Sequence, residues 1–198
     1  MDHHTGQYIL RRPTPDTVRL VNQMVALLRG VNVGGHKPLP MAELRSALTN
    51  AGVADVSTYI QSGNVIYTGL PGDAPLIQQT INERFGVDTP VITRSGAALS
   101  RTLRAHPWPA GSGTEKLHHI MFLADAAPAD AEQLLSERVA ECERIAVVDQ
   151  EVHVYYANGS ARSRFDVGWV DRQLGTVATA RNLRTCRKLD QLLTARLA

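Results

Sequence analysis

The chain has 198 residues, enough for one large or two small domains that bury a core without disulfides or metals. Its hydrophobic content of 43% is that of a globular protein, and a formal charge of +2 does not by itself indicate nucleic-acid binding. The cysteines, Cys142 and Cys186, lie far apart and have no metal-ligand spacing. We therefore predict reduced thiols in a cytoplasmic protein.

Residues 1–23 contain adjacent histidines, prolines and charges but no apolar run typical of a secretory signal. We expect them to form a flexible N-terminal arm. The sequence contains no apolar segment long enough to span a membrane, so we also predict no membrane partner.

Residues 24–28 are all apolar, which is typical of a strand covered on both faces. Arg29 follows directly, so we expect its guanidinium inside the protein, where it needs a carboxylate, a carbonyl or an anionic ligand. Gly30, Gly34 and Gly35 come next and allow the chain to bend closely around such a ligand.

The same loop has the glycine spacing of a phosphate-binding P-loop, given by Gly30 and Gly35. His36 and Lys37 stand where that motif needs a lysine and a serine or threonine. We therefore do not predict nucleoside triphosphate binding. His36 is kept as a candidate acid or base, and Lys37 as a candidate cation.

The following elements alternate in a regular order. The first half continues with a helix from Met41, a hairpin of strands 56–60 and 64–68, a helix that Asp73 caps and Gly86 ends, a strand at 89–93 and a helix from Ser95. The second half repeats this order with a strand at 118–124, a helix at 131–139, a hairpin of strands 145–148 and 152–156, a helix at 167–174, a strand at 177–179 and a helix from Asn182.

This order predicts an α+β protein made of two ferredoxin-like (split βαββαβ) halves in tandem, each with an extra C-terminal helix. We place the halves at residues 24–106 and 117–198, with a linker at 107–116 that is rich in proline and glycine. A duplication is also indicated by four residues that recur 86 positions later, where Val91, Thr93, Arg101 and Leu103 are followed by Val177, Thr179, Arg187 and Leu189.

Four stretches of the chain carry a family resemblance, namely Ala26-Leu-Leu-Arg-Gly-Val-Asn-Val-Gly-Gly, Met41-Ala-Glu-Leu-Arg, Thr58-Tyr-Ile-Gln-Ser-Gly-Asn-Val and Thr179-Ala-Arg-Asn-Leu-Arg-Thr. From about Met24 onward, the sequence resembles the bacterial family called domain of unknown function 1697. The resemblance implies a cytosolic α+β protein with two ferredoxin-like halves, and it implies no known activity. Leu183 and Ala180 depart from the tryptophan and the second threonine that this family usually has there.

Two further groups of residues are candidates for ligand contact. Gln61, Ser62 and Asn64 in the first hairpin could recognise a ligand near Arg29, or could simply form a tight turn. Arg181, Asn182 and Arg184 begin a basic C-terminal helix that continues with Arg187 and Lys188, which could contact an anion or could form a solvated face. A loop before the predicted helix at 167–174 also contains Arg162 and Arg164, which could bind a phosphate or a carboxylate or could be exposed side chains of a plain turn.

Histidine chemistry is weakly indicated. His118 and His119 are neighbours on a predicted strand, so they point to opposite faces and cannot hold one metal ion together. No motif of a metalloprotease, a serine hydrolase or a zinc finger occurs, so we predict no metal, and no cofactor is indicated. The first hairpin also lacks the interleaved aromatic residues of an RNA-recognition domain.

We predict a protein that binds an anionic small molecule bearing a phosphate or a carboxylate. The predicted ligand-binding residues are Arg29, Asn32, Gly34, Gly35, Lys37, Gln61, Ser62, Asn64, Arg181, Asn182 and Arg184. The alternatives are an enzyme that acts on such a ligand through His36 or Ser62, and a nucleic-acid-binding protein. The oligomeric state does not follow from the sequence.

Overall fold

Both halves of the chain have the order strand, helix, strand, strand, helix, strand, helix in the computed structural model, which describes residues 22–34, 38–111 and 113–197. The first half contains β1 (Asn22–Leu28), α1 (Met41–Asn50), β2 (Ala54–Tyr59), β3 (Asn64–Gly69), α2 (Ala74–Phe85), β4 (Val91–Ser95) and α3 (Gly96–Arg104). The second half contains β5 (His118–Leu123), α4 (Ala131–Ser136), β6 (Glu143–Val148), β7 (Glu151–Tyr156), α5 (Val167–Leu174), β8 (Ala178–Asn182) and α6 (Leu183–Thr194).

Each half builds one four-stranded sheet in which the neighbouring strands are antiparallel. The strand orders are β2-β3-β1-β4 and β6-β7-β5-β8. In both sheets the first strand of the half lies at the centre, between the third and the fourth. This is the ferredoxin-like arrangement, so the predicted α+β class with two such halves is confirmed.

Three apolar clusters organise these layers. One lies between the first sheet and helices α1 and α2, and another between the second sheet and helices α4 and α5. The third cluster, here called the central cluster, joins the other faces of both sheets through Val25, Leu27, Ile120 and Phe122. Helices α3 and α6 also contribute to it, so each sheet is covered on both sides. This explains why β1 shows no polar alternation.

The last strand of each half extends further towards the C-terminus than the sequence predicted. β4 continues to Ser95 and β8 to Asn182, because both strands keep pairing with the central strand of their sheet. Ser95 and Asn182 also cap the helices that follow, by accepting hydrogen bonds from the backbone N–H of Ala98 and Thr185. The predicted starts of α3 and α6 are therefore confirmed. Asp73, in contrast, does not cap α2, since its carboxylate accepts from the Leu70 N–H.

The strand pairing aligns the last strands of the two halves with a different offset from the one that the sequence indicated. Val25 of β1 pairs with Arg94 of β4, and Ile120 of β5 pairs with Arg181 of β8. The equivalent residues of β4 and β8 are therefore 87 positions apart, and the predicted offset of 86 is wrong by one residue. Residues 1–21 of the predicted N-terminal arm lie outside the described residues, whereas Asn22 and Gln23 begin β1.

Candidate functional site

Arg181 of β8 crosses from the second half into the first. It is 8% exposed, and its Nε donates to Asn64 Oδ1 over 2.6 Å. Its Nη2 donates to the backbone carbonyls of Leu28 at 2.7 Å and of Ser62 and Gly63 at 3.1 Å. One guanidinium thus ties the end of β1 to the loop between β2 and β3.

Arg94 of β4 makes the reciprocal contact into the second half. Its Nε donates to Glu151 Oε1 at 2.8 Å, and its Nη2 donates to the carbonyls of Leu123 at 2.7 Å and Gln150 at 3.4 Å. These acceptors are the structural equivalents of the groups that hold Arg181. The sequence analysis missed Arg94, although an offset of 87 residues would have aligned the two arginines.

The two arginines differ in their charge balance. The carboxylate of Glu151 neutralises Arg94, and both side chains are buried. At the equivalent position of the first half, Asn64 offers Arg181 a neutral amide. Burial lowers the pKa of Arg181 to about 10, so it remains positively charged at neutral pH. Among the described residues, no carboxylate lies within ion-pair distance of this buried charge.

A cleft of about 450 Å³ lies beside Arg181, between the two halves. Four of the predicted site residues line it: Arg29, Ser62, Arg181 and Asn182. Its other polar lining comes from His119, Thr179 and Thr185, and its apolar lining includes Val31, Val33, Ile60 and Val167. A second cleft of about 380 Å³ shares Arg29, Gly30 and Val31 with it and extends towards residues 86–90.

Arg29 does not have the environment that the sequence predicted. Its side chain is 29% exposed rather than buried, because β1 ends at Leu28 and the chain turns at Gly30. Its Nη1 forms an ion pair with Asp171 of α5, whose other carboxylate oxygen accepts from the Ala178 N–H at 2.8 Å. Arg29 therefore brings hydrogen-bond donors to the cleft, but its charge is already balanced by a native carboxylate.

Of the three residues predicted around the first hairpin, Ser62 lines the cleft, whereas Asn64 and Gln61 do not. Ser62 lines the cleft, and its Oγ accepts a hydrogen bond from Asn64 Nδ2 at 3.1 Å. Asn64 is fully buried behind it, as the partner of Arg181. Gln61 is exposed, and its carbonyl accepts from Asn32 Nδ2 at 2.7 Å. Within the described residues, Ser62 has no hydrogen-bonded base of the kind that activates a nucleophile.

Asn32 connects the start of the glycine-rich loop to the residues on either side of it. The Asn32 side chain accepts from the Leu39 N–H at 2.7 Å and donates to the Leu39 carbonyl at 3.0 Å, in addition to its bond to Gln61. Asn32 thereby links the loop to the hairpin, although it does not itself line the cleft. Gly34 is exposed and does not line the cleft. Gly35, together with His36 and Lys37, lies outside the described residues.

The first turn of α6 borders the cleft. Asn182 Oδ1 accepts from the Thr185 N–H at 2.9 Å, and its amide nitrogen, which makes no hydrogen bond among the described residues, is a potential donor. Thr185 lines the cleft beside it. The N-terminal end of a helix carries a partial positive charge, so this turn reinforces the field of Arg181.

The basic cluster predicted on α6 lies elsewhere. Arg187 and Arg184 both contact the carboxylate of Glu115, the second more loosely at 3.9 Å. Neither residue lines the cleft. Arg184 is therefore separated from Arg181 and Asn182, although the three are close in sequence, because its side chain is exposed on the side of α6 that faces Glu115.

His119 is a cleft residue that the sequence analysis did not assign to the site. Burial lowers its pKa to about 4, so the ring is neutral at pH 7. Its Nδ1 is buried and has no hydrogen-bond partner among the described residues. The neutral ring therefore contributes to the wall of the cleft without adding a charge.

His118 faces the opposite side of β5, as predicted, and joins a chain of imidazoles outside the cleft. His106 Nε2 lies 3.0 Å from His118 Nδ1, and His106 Nδ1 lies 3.0 Å from His153 Nδ1. In the part of the chain that the structure describes, no group of three His, Cys, Asp or Glu residues is arranged to hold a metal ion.

The fold and the cleft together define a class of protein: an α+β chain of two ferredoxin-like halves, each of which inserts an arginine into the other. A cleft lies beside Arg181, the arginine that has no carboxylate partner among the described residues. The chain belongs to the family described as Protein of unknown function (DUF1697), whose model matches residues 21–153. The family read from the motifs is thereby confirmed, and the fourth motif, at residues 179–185, lies beyond the match.

A solved structure with a similar fold is that of the conserved bacterial protein SP0830 from Streptococcus pneumoniae. It has 23% sequence identity and a TM-score of 0.65, and the match covers 87% of this chain and 99% of that one. At this identity the likeness concerns the fold alone. No curated protein matches the chain. None of the helices in the described ranges has the length and apolar character needed to cross a bilayer.

Proposed function

We propose that the protein binds an anionic small molecule in the cleft beside Arg181. The observation that carries this proposal is the unequal treatment of two equivalent arginines. Arg94 has Glu151 as its counter-ion, whereas Arg181 has the neutral Asn64. An uncompensated buried charge is costly in a medium of low dielectric constant. An anion in the adjacent cleft would supply the missing compensation.

The donors that would hold such an anion differ from the charge that attracts it. All N–H groups of Arg181 are used within the protein, where Nη1 donates to Thr179 Oγ1 and to the Ala180 carbonyl. Arg181 therefore acts through its electrostatic field. Direct hydrogen bonds would come from the cleft-lining groups of Arg29, Ser62 and Asn182.

Another basic cleft supports anion binding less well. It has a volume of about 540 Å³ and includes Arg162 and Arg164, the pair noted in the sequence. Glu137 and Glu143 line the same cleft, so its cations face carboxylates of the protein itself. Arg181, in contrast, is buried and has no carboxylate partner among the described residues, which favours the cleft between the halves.

The proposal is tested by thermal unfolding of the full chain with phosphate, acetate and benzoate. A ligand at 100 times its Kd stabilises the folded state by about 2.7 kcal/mol, which raises the Tm by roughly 5 to 10 °C. We expect such a rise with at least one anion, and no rise with a matched neutral compound such as benzyl alcohol.

The decisive variant is Asn64→Asp, which gives Arg181 the internal carboxylate that Arg94 already has. We expect it to fold with a lower Tm, since one Asp oxygen would face the Tyr59 carbonyl that Asn64 Nδ2 now contacts at 3.1 Å, and to lose the response to anions. Glu151→Gln is the matched control, because it removes the other counter-ion but should leave the anion response intact. A wild type that responds to no anion, or an Asn64→Asp variant that responds like the wild type, would overturn the proposal.

A further inference from the structure

The rim of the cleft exposes aliphatic side chains. Val33 is 52% exposed and Ile60 is 50% exposed, and both line the cleft with the more buried Val31. Large apolar side chains are exposed at few other described positions, of which Leu76 on α2 is one. Val33 and Ile60 therefore form an exposed apolar surface at the opening of the cleft, next to the buried charge of Arg181. Such a surface is suited to a ligand with an apolar part.

Ile60 is held in this position by an unfavourable backbone conformation. Its φ angle is 49°, in the left-handed region that a β-branched residue rarely adopts. Strain of this kind persists where the surrounding structure enforces it, and it is often found at binding sites. Here the strained residue projects an aliphatic side chain onto the rim of the cleft.

The loop that carries Ile60 is longer in this half of the protein than in the other. β2 and β3 pair at Tyr59 and Asn64, so four residues connect them. β6 and β7 pair at Val148 and Glu151, so two residues connect them. The longer loop supplies both Ile60 and Ser62 to the cleft. The longer loop thus belongs to the first half, which receives Arg181, the arginine without a carboxylate partner among the described residues.

The charges around the cleft also restrict the ligand. Arg29 is balanced by Asp171, and Arg181 carries one charge that no described carboxylate balances. One uncompensated positive charge matches one negative charge. Arg29 and Arg181 are the cations among the residues that line the cleft, so a second negative charge on the ligand would meet Arg29, whose charge Asp171 already balances.

We infer that the ligand is a small monoanion with an apolar body, namely the carboxylate of an aliphatic or aromatic acid. Its carboxylate lies at the end of the cleft near Arg181 and Asn182, and its apolar body lies against Ile60 and Val33. This inference rests on the proposed anion-binding function and specifies the class of anion.

The test is a series of straight-chain carboxylates from acetate to octanoate, measured by isothermal titration calorimetry with the full-length protein. Each methylene that becomes buried strengthens binding about fourfold, so Kd should fall along the series until the apolar rim is covered. Octanol should bind more weakly than octanoate, because it lacks the charge. Succinate and inorganic phosphate should bind more weakly than butyrate, because neither combines a single charge with an apolar chain.

Ile60→Asn is the informative variant. Asparagine tolerates the left-handed conformation, so the variant should fold at least as stably as the wild type. We expect it to bind acetate as the wild type does and to gain less affinity per methylene. Leu76→Asn removes a comparably exposed aliphatic side chain on α2 that does not line the cleft, and it should leave the series unchanged.

The outcomes separate the two proposals. If no carboxylate and no phosphate binds, the anion-binding function itself is wrong. If acetate, octanoate and phosphate bind equally well, the function stands and the inference about an apolar body is wrong. An Ile60→Asn variant that keeps the full gain per methylene would also overturn the inference, because the rim would then not contact the ligand.

Discussion

At the scale of single residues, Gly63, which follows the cleft residue Ser62, has tightly packed surroundings. Its φ angle is 76°, and its carbonyl accepts both from the Leu28 N–H at 2.8 Å and from Arg181 Nη2 at 3.1 Å. A Cβ atom added there would lie 2.4 Å from Val31 Cγ2 and 2.7 Å from Leu28 Cβ. A glycine is required both for the backbone angle and for the space.

We therefore expect Gly63→Ala to lower the free energy of unfolding by roughly 2 to 4 kcal/mol, as the sum of backbone strain and overpacking. Gly30→Ala is the matched control, because Gly30 has a similar φ of 62° but nothing within 4 Å of an added Cβ. The control should lose about 1 kcal/mol, from strain alone. Urea unfolding measures both changes, and equal losses would show that the steric contact at Gly63 is relieved at no cost.

At the scale of secondary-structure elements, a chain of histidines ties the segment after α3 to the second sheet. His106 follows α3 and lies between His118 of β5 and His153 of β7. Burial is the main cause that lowers the pKa of His106 and of His153 to about 4, and it also lowers the pKa of His118. Arg187 adds to the effect at His106 and His118.

These pKa values predict how stability depends on pH. The histidines are neutral in both states above their unfolded pKa of about 6.5, so they contribute no pH dependence there. Below it, the unfolded chain binds protons at His106 and His153 that the folded chain does not bind until about pH 4, so stability falls as the pH decreases across this window. The slope is at most about 1.4 kcal/mol per pH unit for each histidine.

His153 is the residue with which to check this. Its ring is fully buried, its Nε2 has no partner among the described residues, and its Nδ1 meets His106 Nδ1 at 3.0 Å, so His153→Leu removes one titrating group together with one hydrogen bond. Urea unfolding between pH 8 and pH 5 should show a shallower loss of stability in the variant than in the wild type. Parallel pH profiles would mean that His153 is protonated in the folded state near its ordinary pKa.

At the scale of the whole molecule, the two halves share the central cluster and exchange Arg94 and Arg181. Separation of the halves would expose the apolar residues of both inner faces and leave each arginine without its acceptors. We therefore expect residues 1–106 and residues 107–198, expressed separately, to bind a hydrophobic dye and to unfold without a cooperative transition. The intact chain should unfold in one transition, measured by circular dichroism. A sharp thermal transition in either separate half would contradict this.

The sequence by itself determined the order of the elements, the ferredoxin-like topology of each half, the family, and the caps of α3 and α6, because these depend on local periodicity, turn residues and motifs. It also singled out Arg29, Ser62, Arg181 and Asn182, which the folded chain brings to one cleft. Tertiary structure alone decided how the charges are balanced. Asp171 pairs with Arg29 from 142 residues away, and Asn64 meets Arg181 from 117 residues away. These partners meet because one half packs against the other. A local pattern in the sequence does not reveal contacts between residues that are so far apart in the chain.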